Sequence, residues 1–249
     1  FLALIRSKDW VGIDKFLHKF QQAVRSLKFL PVPVVGAPSG MAIGGGFEVL
    51  LHSDKIVAHS NSVLGLVESG VGLIPGGGGV KETYLRCFEK LGNQDDAAWK
   101  TWMQIGYGQT GTSPEKSSEL FYYLSERDQT EMNRDYLINS AISSIKEINA
   151  LGYKAPELKT VSLPGNSILK KMSEFMDNGI EKGLFYKHDK TVAMQVASVV
   201  VNIKEDKILF LNEDELFNRE REAFINLAKT QPTLDRISAL IEKGINLRN

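Results

Sequence analysis

Apolar and polar positions alternate most regularly between Trp10 and Leu30, where Phe16, Leu17, Phe20, Ala23, Val24 and Leu27 recur at helical spacing. The pattern predicts an amphipathic helix that Pro31 and Pro33 end. Lys15, Lys19, Arg25 and Lys28 fall between the apolar positions and read as a solvated face. Val32 to Val35 is too short for a helix and rich in β-branched residues, which predicts a buried strand in spite of Pro33. Lys55 to His59 and Val63 to Val67 read as two more strands. Between them Val49-Leu50-Leu51 continues a helix that starts at the glycine run Gly44 to Gly46, and Glu82 to Leu91 reads as a helix closed by Gly92. Short strands alternating with helices argue for α/β layering.

Beyond Gly106 the pattern changes. Gly106 to Thr112 reads as a loop, and Ser113-Pro114 as a cap with proline at the first helical position. Glu131 to Leu151 is helical in period, with Ile138, Ala141, Ile142, Ile145 and Ile148 on one face. Lys154 to Pro164 reads as an extended linker. Helices are expected at Ile168 to Met176, Asp189 to Val201, Glu213 to Lys229 and Leu234 to Lys243. The division that follows is a core over residues 1–110 and a mostly helical region over 111–249, whose role is packing.

Composition narrows the class. Hydrophobic residues make up 43% and charged residues 24%, as in an ordinary soluble globular protein. Thirty basic and thirty acidic residues cancel, which argues against a nucleic-acid surface. The single cysteine, Cys87, forms no intrachain disulfide and suits a reducing compartment, so the expected location is cytoplasmic. No apolar run reaches the length of a membrane span. The chain opens at Phe1 without Met or a signal peptide, and is expected to be a fragment whose beginning is missing.

The candidate chemistry gathers in two glycine-rich turns. Gly44-Gly45-Gly46 places bare backbone N–H groups at a helix start, with Glu48 in the first turn. Glu68 ends the apolar run from Val63, and the loop Gly70 to Gly79 follows. Two carboxylates delivered by two such turns can flank one water, one taking a proton and the other giving one. The histidines His18, His52, His59 and His188 have no metal-ligand spacing, so no metal is expected. Gly76 to Lys81 lacks the Gly-Lys-Ser/Thr of a phosphate loop.

The runs Pro33 to Glu48, Gly65-Leu66-Val67-Glu68 and Gly72 to Gly79, with Asp54, resemble the crotonase family and within it the enoyl-CoA hydratases. The likeness is specific over roughly Pro31 to Arg86. It implies a crotonase (ClpP-like) ββα spiral core, truncated at its N-terminus, and an acyl-CoA thioester as substrate. It implies that Glu48 holds and activates water, that Glu68 exchanges the proton at the α-carbon, and that Gly45 donates an N–H to the thioester oxygen. Gly44, Gly46, Gly76 and Gly77 are the implied substrate-binding positions. A second oxyanion donor is implied upstream of Phe1. Gly183 to Lys190, Asn218 to Leu227 and Gly244 to Asn249 resemble the carboxyl-terminal part of bacterial 3-hydroxyacyl-CoA dehydrogenases that carry a crotonase-like module. That implies a parent chain with an upstream dehydrogenase part. NAD is expected only there, since this sequence has no GxGxxG after a strand. The expected activity is hydration of a trans-2-enoyl-CoA in fatty-acid β-oxidation. Isomerisation of an enoyl-CoA, a non-catalytic docking module and a homo-oligomeric state stay open.

Overall fold

Residues 1–249 are all described by the computed structural model. Leu2–Arg6 forms a short helix, α1, and Trp10–Lys28 forms α2, whose first turn is capped by Asp9 accepting from the Gly12 N–H at 2.8 Å. The buried stripe of α2 is Ile13, Leu17, Gln21 and Val24, while Phe16 and Ala23 face outward. Gln21 occupies an inward position because its amide has partners there: it donates to the carbonyls of Gly76 and Phe217, each at 2.9 Å. The expected solvated lysine face is also corrected at one residue. Lys28 is tucked inward and pairs with Glu82 at 2.7 Å and Glu213 at 2.6 Å.

The next elements are β1 (Val35–Gly36), β2 (Met41–Ile43), α3 (Gly45–Leu51), β3 (Lys55–His59) and β4 (Val63–Gly65). The strand expected from Val32 shrinks to β1. Pro31 and Pro33 have no N–H to give, and the Val34 N–H goes to the Asp54 carboxylate at 2.8 Å instead of to a ladder. A 3-10 turn, Glu68–Val71, follows β4. Then come α4 (Gly79–Leu91), closed by left-handed Gly92, and α5 (Gln94–Gly106). The expected loop after Gly106 contains a short strand, β5 (Thr110–Gly111). Ser113 caps α6 (Pro114–Ser118) as its sequence suggests.

After β6 (Gln129–Glu131) the helix α7 runs from Leu137 to Ala150, and its isoleucine stripe is not the buried one. Leu137, Ala141 and Ser144 face inward, the first two against Val57 of β3, while Ile138 and Ile142 are 61% and 44% exposed. The expected linker from Lys154 also changes: it holds β7 (Thr160–Leu163). The helices α8 (Ser167–Glu181) and α9 (Lys187–Val200) lead to β8 (Leu209–Asn212), α10 (Glu213–Ala228) and α11 (Gln231–Lys243).

The strands form three small sheets. β3 lies between β1 and β6, parallel to both; β4 pairs β2 in parallel and β5 antiparallel; β7 and β8 pair antiparallel. One apolar core joins Phe47 of α3, Tyr84 of α4 and Trp102 of α5 to Val196 of α9 and Leu216 of α10. The α/β part and the helical part are therefore built around the same buried surface.

A buried ion cluster ties α2, α4 and α10 together. Lys81 is fully buried, with its ammonium on Glu82 and, at 3.2 Å, on Glu213, and Lys28 bridges the same two acids. Two cations and two anions balance, so no charge is left unpaired. Removing one partner does leave one. Lys81→Met is expected to cost about 3–5 kcal/mol, read as a fall in the denaturant midpoint at unchanged slope. A loss below about 1 kcal/mol, as for an exposed pair, would contradict the cluster.

Candidate active site

β2 delivers the chain to Gly44, whose N–H donates to the Gly65 carbonyl of β4 at 2.9 Å. Gly44 turns at φ +56°, and a Cβ there would lie 3.1 Å from Glu68 Oε1. The absent side chain is what lets Glu68 come close to the start of α3. Gly45 and Gly46 open α3, and their N–H groups have no partner within the protein. Gly45 faces a cleft of about 350 Å³ together with Glu48, Glu68, Gly76 and Gly77. Its walls are otherwise largely apolar, with Phe20 and Phe224 among them. Of the seven residues singled out in the sequence, these five line one space; Gly44 sits behind Glu68, and Gly46 lies outside the lining.

Glu48 is 2% exposed. Its Oε1 accepts from the Gly77 N–H at 2.7 Å and the Gly79 N–H at 2.8 Å. Gly79 must be glycine for this, because a Cβ would stand 2.9 Å from that oxygen. Burial pushes the Glu48 carboxyl up to about 7, against the opposing pull of the Gly79, Gly77 and Gly76 amides. Glu68 has one enclosed oxygen, Oε2, with no hydrogen-bond partner. Burial first, and then the nearby charge of Glu48, push its carboxyl up to about 8. Both acids are therefore raised to neutrality or above, Glu68 further than Glu48. His52 is not a third acid–base group. Its ring binds the Glu48 carbonyl through Nδ1 at 2.7 Å, and burial pushes it down to about 3, which keeps it neutral.

Helices read as packing from their sequence reach both carboxylate turns. Glu220 of α10, fully buried, accepts from the N–H groups of Gly78 at 2.6 Å, Val80 at 3.0 Å and Lys81 at 3.1 Å. Thr233 of α11 donates to the Gly72 carbonyl at 2.7 Å and is itself bound to His188 at 2.8 Å. Arg236, buried and paired with Asp189 at 2.8 Å, reaches the Ser69 carbonyl at 3.4 Å. The turn that carries Glu68 is thus pinned from the C-terminal end of the chain. No spacing rule relates these residues to Glu48 or Glu68.

Residues 12–94 match the family model described as enoyl-CoA hydratase/isomerase. A protein of Bacillus subtilis (strain 168) named "Probable 3-hydroxyacyl-CoA dehydrogenase" is 32% identical over 98% of this chain and 31% of its own length. A protein of Rickettsia felis named as a fatty acid oxidation complex trifunctional enzyme is 29% identical over 97% of this chain and 30% of its own. The chain thus spans about a third of the length of the relatives it matches. Among solved structures, an enoyl-CoA hydratase from Bacillus halodurans superposes with a TM-score of 0.59 at 17% identity, covering 96% of this chain and 73% of that one. A carnitinyl-CoA hydratase from Mycobacterium avium gives 0.51 at 18% identity, covering 87% and 62%. The chain has the crotonase fold, and its residues 12–94 match the enoyl-CoA hydratase/isomerase family.

Proposed function

We propose that this chain hydrates a trans-2-enoyl-CoA to the 3-hydroxyacyl-CoA, within a parent polypeptide that also carries a 3-hydroxyacyl-CoA dehydrogenase. The observation that carries the reading is the pair of buried carboxyls, Glu48 and Glu68, in one apolar cleft beside the unpartnered Gly45 N–H. Glu48, the acid that ionises first, takes a proton from water as the oxygen bonds to the β-carbon. Glu68 gives its proton to the α-carbon. The thioester oxygen gains negative charge between these events, and the Gly45 N–H stabilises it. Two acids on one space support hydration over isomerisation, which moves a proton and adds no water. The acyl-CoA is a substrate, and the reading calls for no cofactor in this chain; NAD belongs to the dehydrogenase part. We place the protein in the cytoplasm, a reading supported by the buried, unpaired Cys87. No helix is long and apolar enough to cross a membrane.

In the natural polypeptide, Glu48→Gln and Glu68→Gln are each expected to lower hydration by ~10²–10⁴, followed as loss of the absorbance of the conjugated enoyl thioester. Glutamine at position 48 keeps the single oxygen that accepts from Gly77 and Gly79, so the fold should survive. Near-normal turnover in either variant removes that residue from the mechanism. The profile of kcat/KM against pH should peak between about 7 and about 8, where Glu48 is ionised and Glu68 protonated.

Gly45→Pro deletes one N–H at the first helical position, where proline is tolerated. Turnover is expected to fall by ~10²–10³ with the circular dichroism spectrum retained. A folded variant with full turnover would show that the triplet is only a turn.

The same titrations set a slope of stability. Both carboxyls bind their protons more tightly folded than unfolded. Their contribution is fully present below the ordinary carboxylate range and is lost as pH rises through about 7 and about 8. Denaturant midpoints should fall between pH 5 and roughly pH 9 for this reason, and the double variant to glutamine should flatten that fall. An unchanged slope in the double variant would contradict the raised values.

A further inference from the structure

Five successive amides, from Gly77 to Lys81, are divided between two carboxylates. Glu48 takes Gly77 and Gly79; Glu220 takes Gly78, Val80 and Lys81. The alternation has a steric basis. Gly78 turns at φ +99°, and a Cβ there would lie 2.6 Å from the Phe217 ring and 2.8 Å from the His52 ring. That turn aims the amides on its two sides at one acid and its own amide at the other. Glu220 does not line the cleft. It is held one layer behind, on the buried face of α10.

We propose that Glu220 is a positioning residue for the hydration assigned above: by holding the Gly78, Val80 and Lys81 amides it fixes the direction of the Gly77 and Gly79 amides, and so the place of the Glu48 carboxylate. The inference rests on that hydratase reading. A carboxylate is needed because three N–H donors converge on both of its oxygens. A glutamine offers one oxygen, and its NH₂ would face a donor. Burial and the charge of Glu48 raise the Glu220 carboxyl well above the ordinary range, opposed by the amides and by Lys81. The other titratable or charged groups around the pair are Glu68, His52, Lys28, Glu82 and Glu213.

The test is Glu220→Gln and Glu220→Asp in the natural polypeptide, with Glu48→Gln as reference, on a short-chain enoyl-CoA. Glu220→Gln is expected to lower kcat by roughly 10–100-fold, the scale of a carboxylate displaced by a fraction of an ångström to an ångström, with KM close to wild type. The acidic limb of kcat/KM should move to higher pH, because the Gly77 and Gly79 amides that favour the charged form of Glu48 are no longer aimed at it. Glu220→Asp keeps the charge and shortens the reach. It misaims the same amides, so it should depress kcat and raise the limb as well, and it carries the test alone if the glutamine variant does not fold. Wild-type kcat and limb in the folded variants overturn the proposal. So does a loss that follows thermal stability with the limb unmoved, since that is packing alone. If wild type and Glu48→Gln hydrate equally, the role of Glu48 fails and takes this inference with it; a wild type that does not hydrate sinks the hydratase reading itself. A sensitive Glu48→Gln beside an insensitive Glu220→Gln sinks the inference only.

Discussion

The backbone N–H groups between Gly77 and Lys81 are the constraint on which the rest of the site depends. They lie at the start of α4, where no earlier turn of helix supplies acceptors. Residues 76 to 84 are buried, so water does not satisfy them. Glycine cannot shield them. Acceptors must come from side chains, and a carboxylate is the side chain that takes two or three donors at once. One acid arrives from α3 and the other from α10. The loop therefore cannot take this shape until helices far apart in sequence have met.

The same meeting explains why so much charge is buried around α4. Glu213 and Glu220 stand two turns apart on the inner face of α10. Lys81 serves both, giving its N–H to Glu220 and its ammonium to Glu82 and Glu213. Lys28 brings α2 to the same acids. Gln21, one and a half to two turns earlier on α2, holds the Gly76 carbonyl and accepts from Arg221 at 2.7 Å. The glycine loop is thus gripped through its carbonyls from α2 and through its amides from α3 and α10. A flexible stretch becomes a fixed frame for Glu48 because its amides from Gly77 to Lys81 and the Gly76 carbonyl each have a partner.

What the sequence made legible, and what it did not, follows from the range of the forces involved. Gly44 to Glu48, Glu68 and the second glycine loop could be read because their signal is local: glycines that free the backbone next to acids with no local cation. The boundaries of α3 and β3 follow from the same local rules. Glu220 could not be read this way. It sits in Arg219-Glu220-Arg221-Glu222, which looks like a solvated charged face, and its burial is decided by amides of a loop some 140 residues earlier. The isoleucines of α7 mislead for the opposite reason. Their period is correct for a helix, yet the inward face is set by Leu137 and Ala141 against Val57 of β3 and by Ser144, whose hydroxyl meets Gln129 of β6. β7 and β8 were missed because each exists only by pairing with the other.

The division of labour between the two acids can be traced to the same loop. Both are removed from water, which by itself would raise both by similar amounts and leave their roles interchangeable. The N–H groups break the symmetry. Two of them point at Glu48 Oε1, and each favours its charged form. Glu68 has an enclosed oxygen that receives none, and it feels the charge of Glu48. The carboxyl that the amides reach is the one that ionises first and can accept a proton from water. Glu68, reached only by its own and the Val67 amide, is the one raised further and in the proposed hydration has the proton to give. In the proposed hydration the division of acid and base follows where these backbone amides point, a direction the left-handed turn at Gly78 and the acid of α10 that accepts from its N–H both favour.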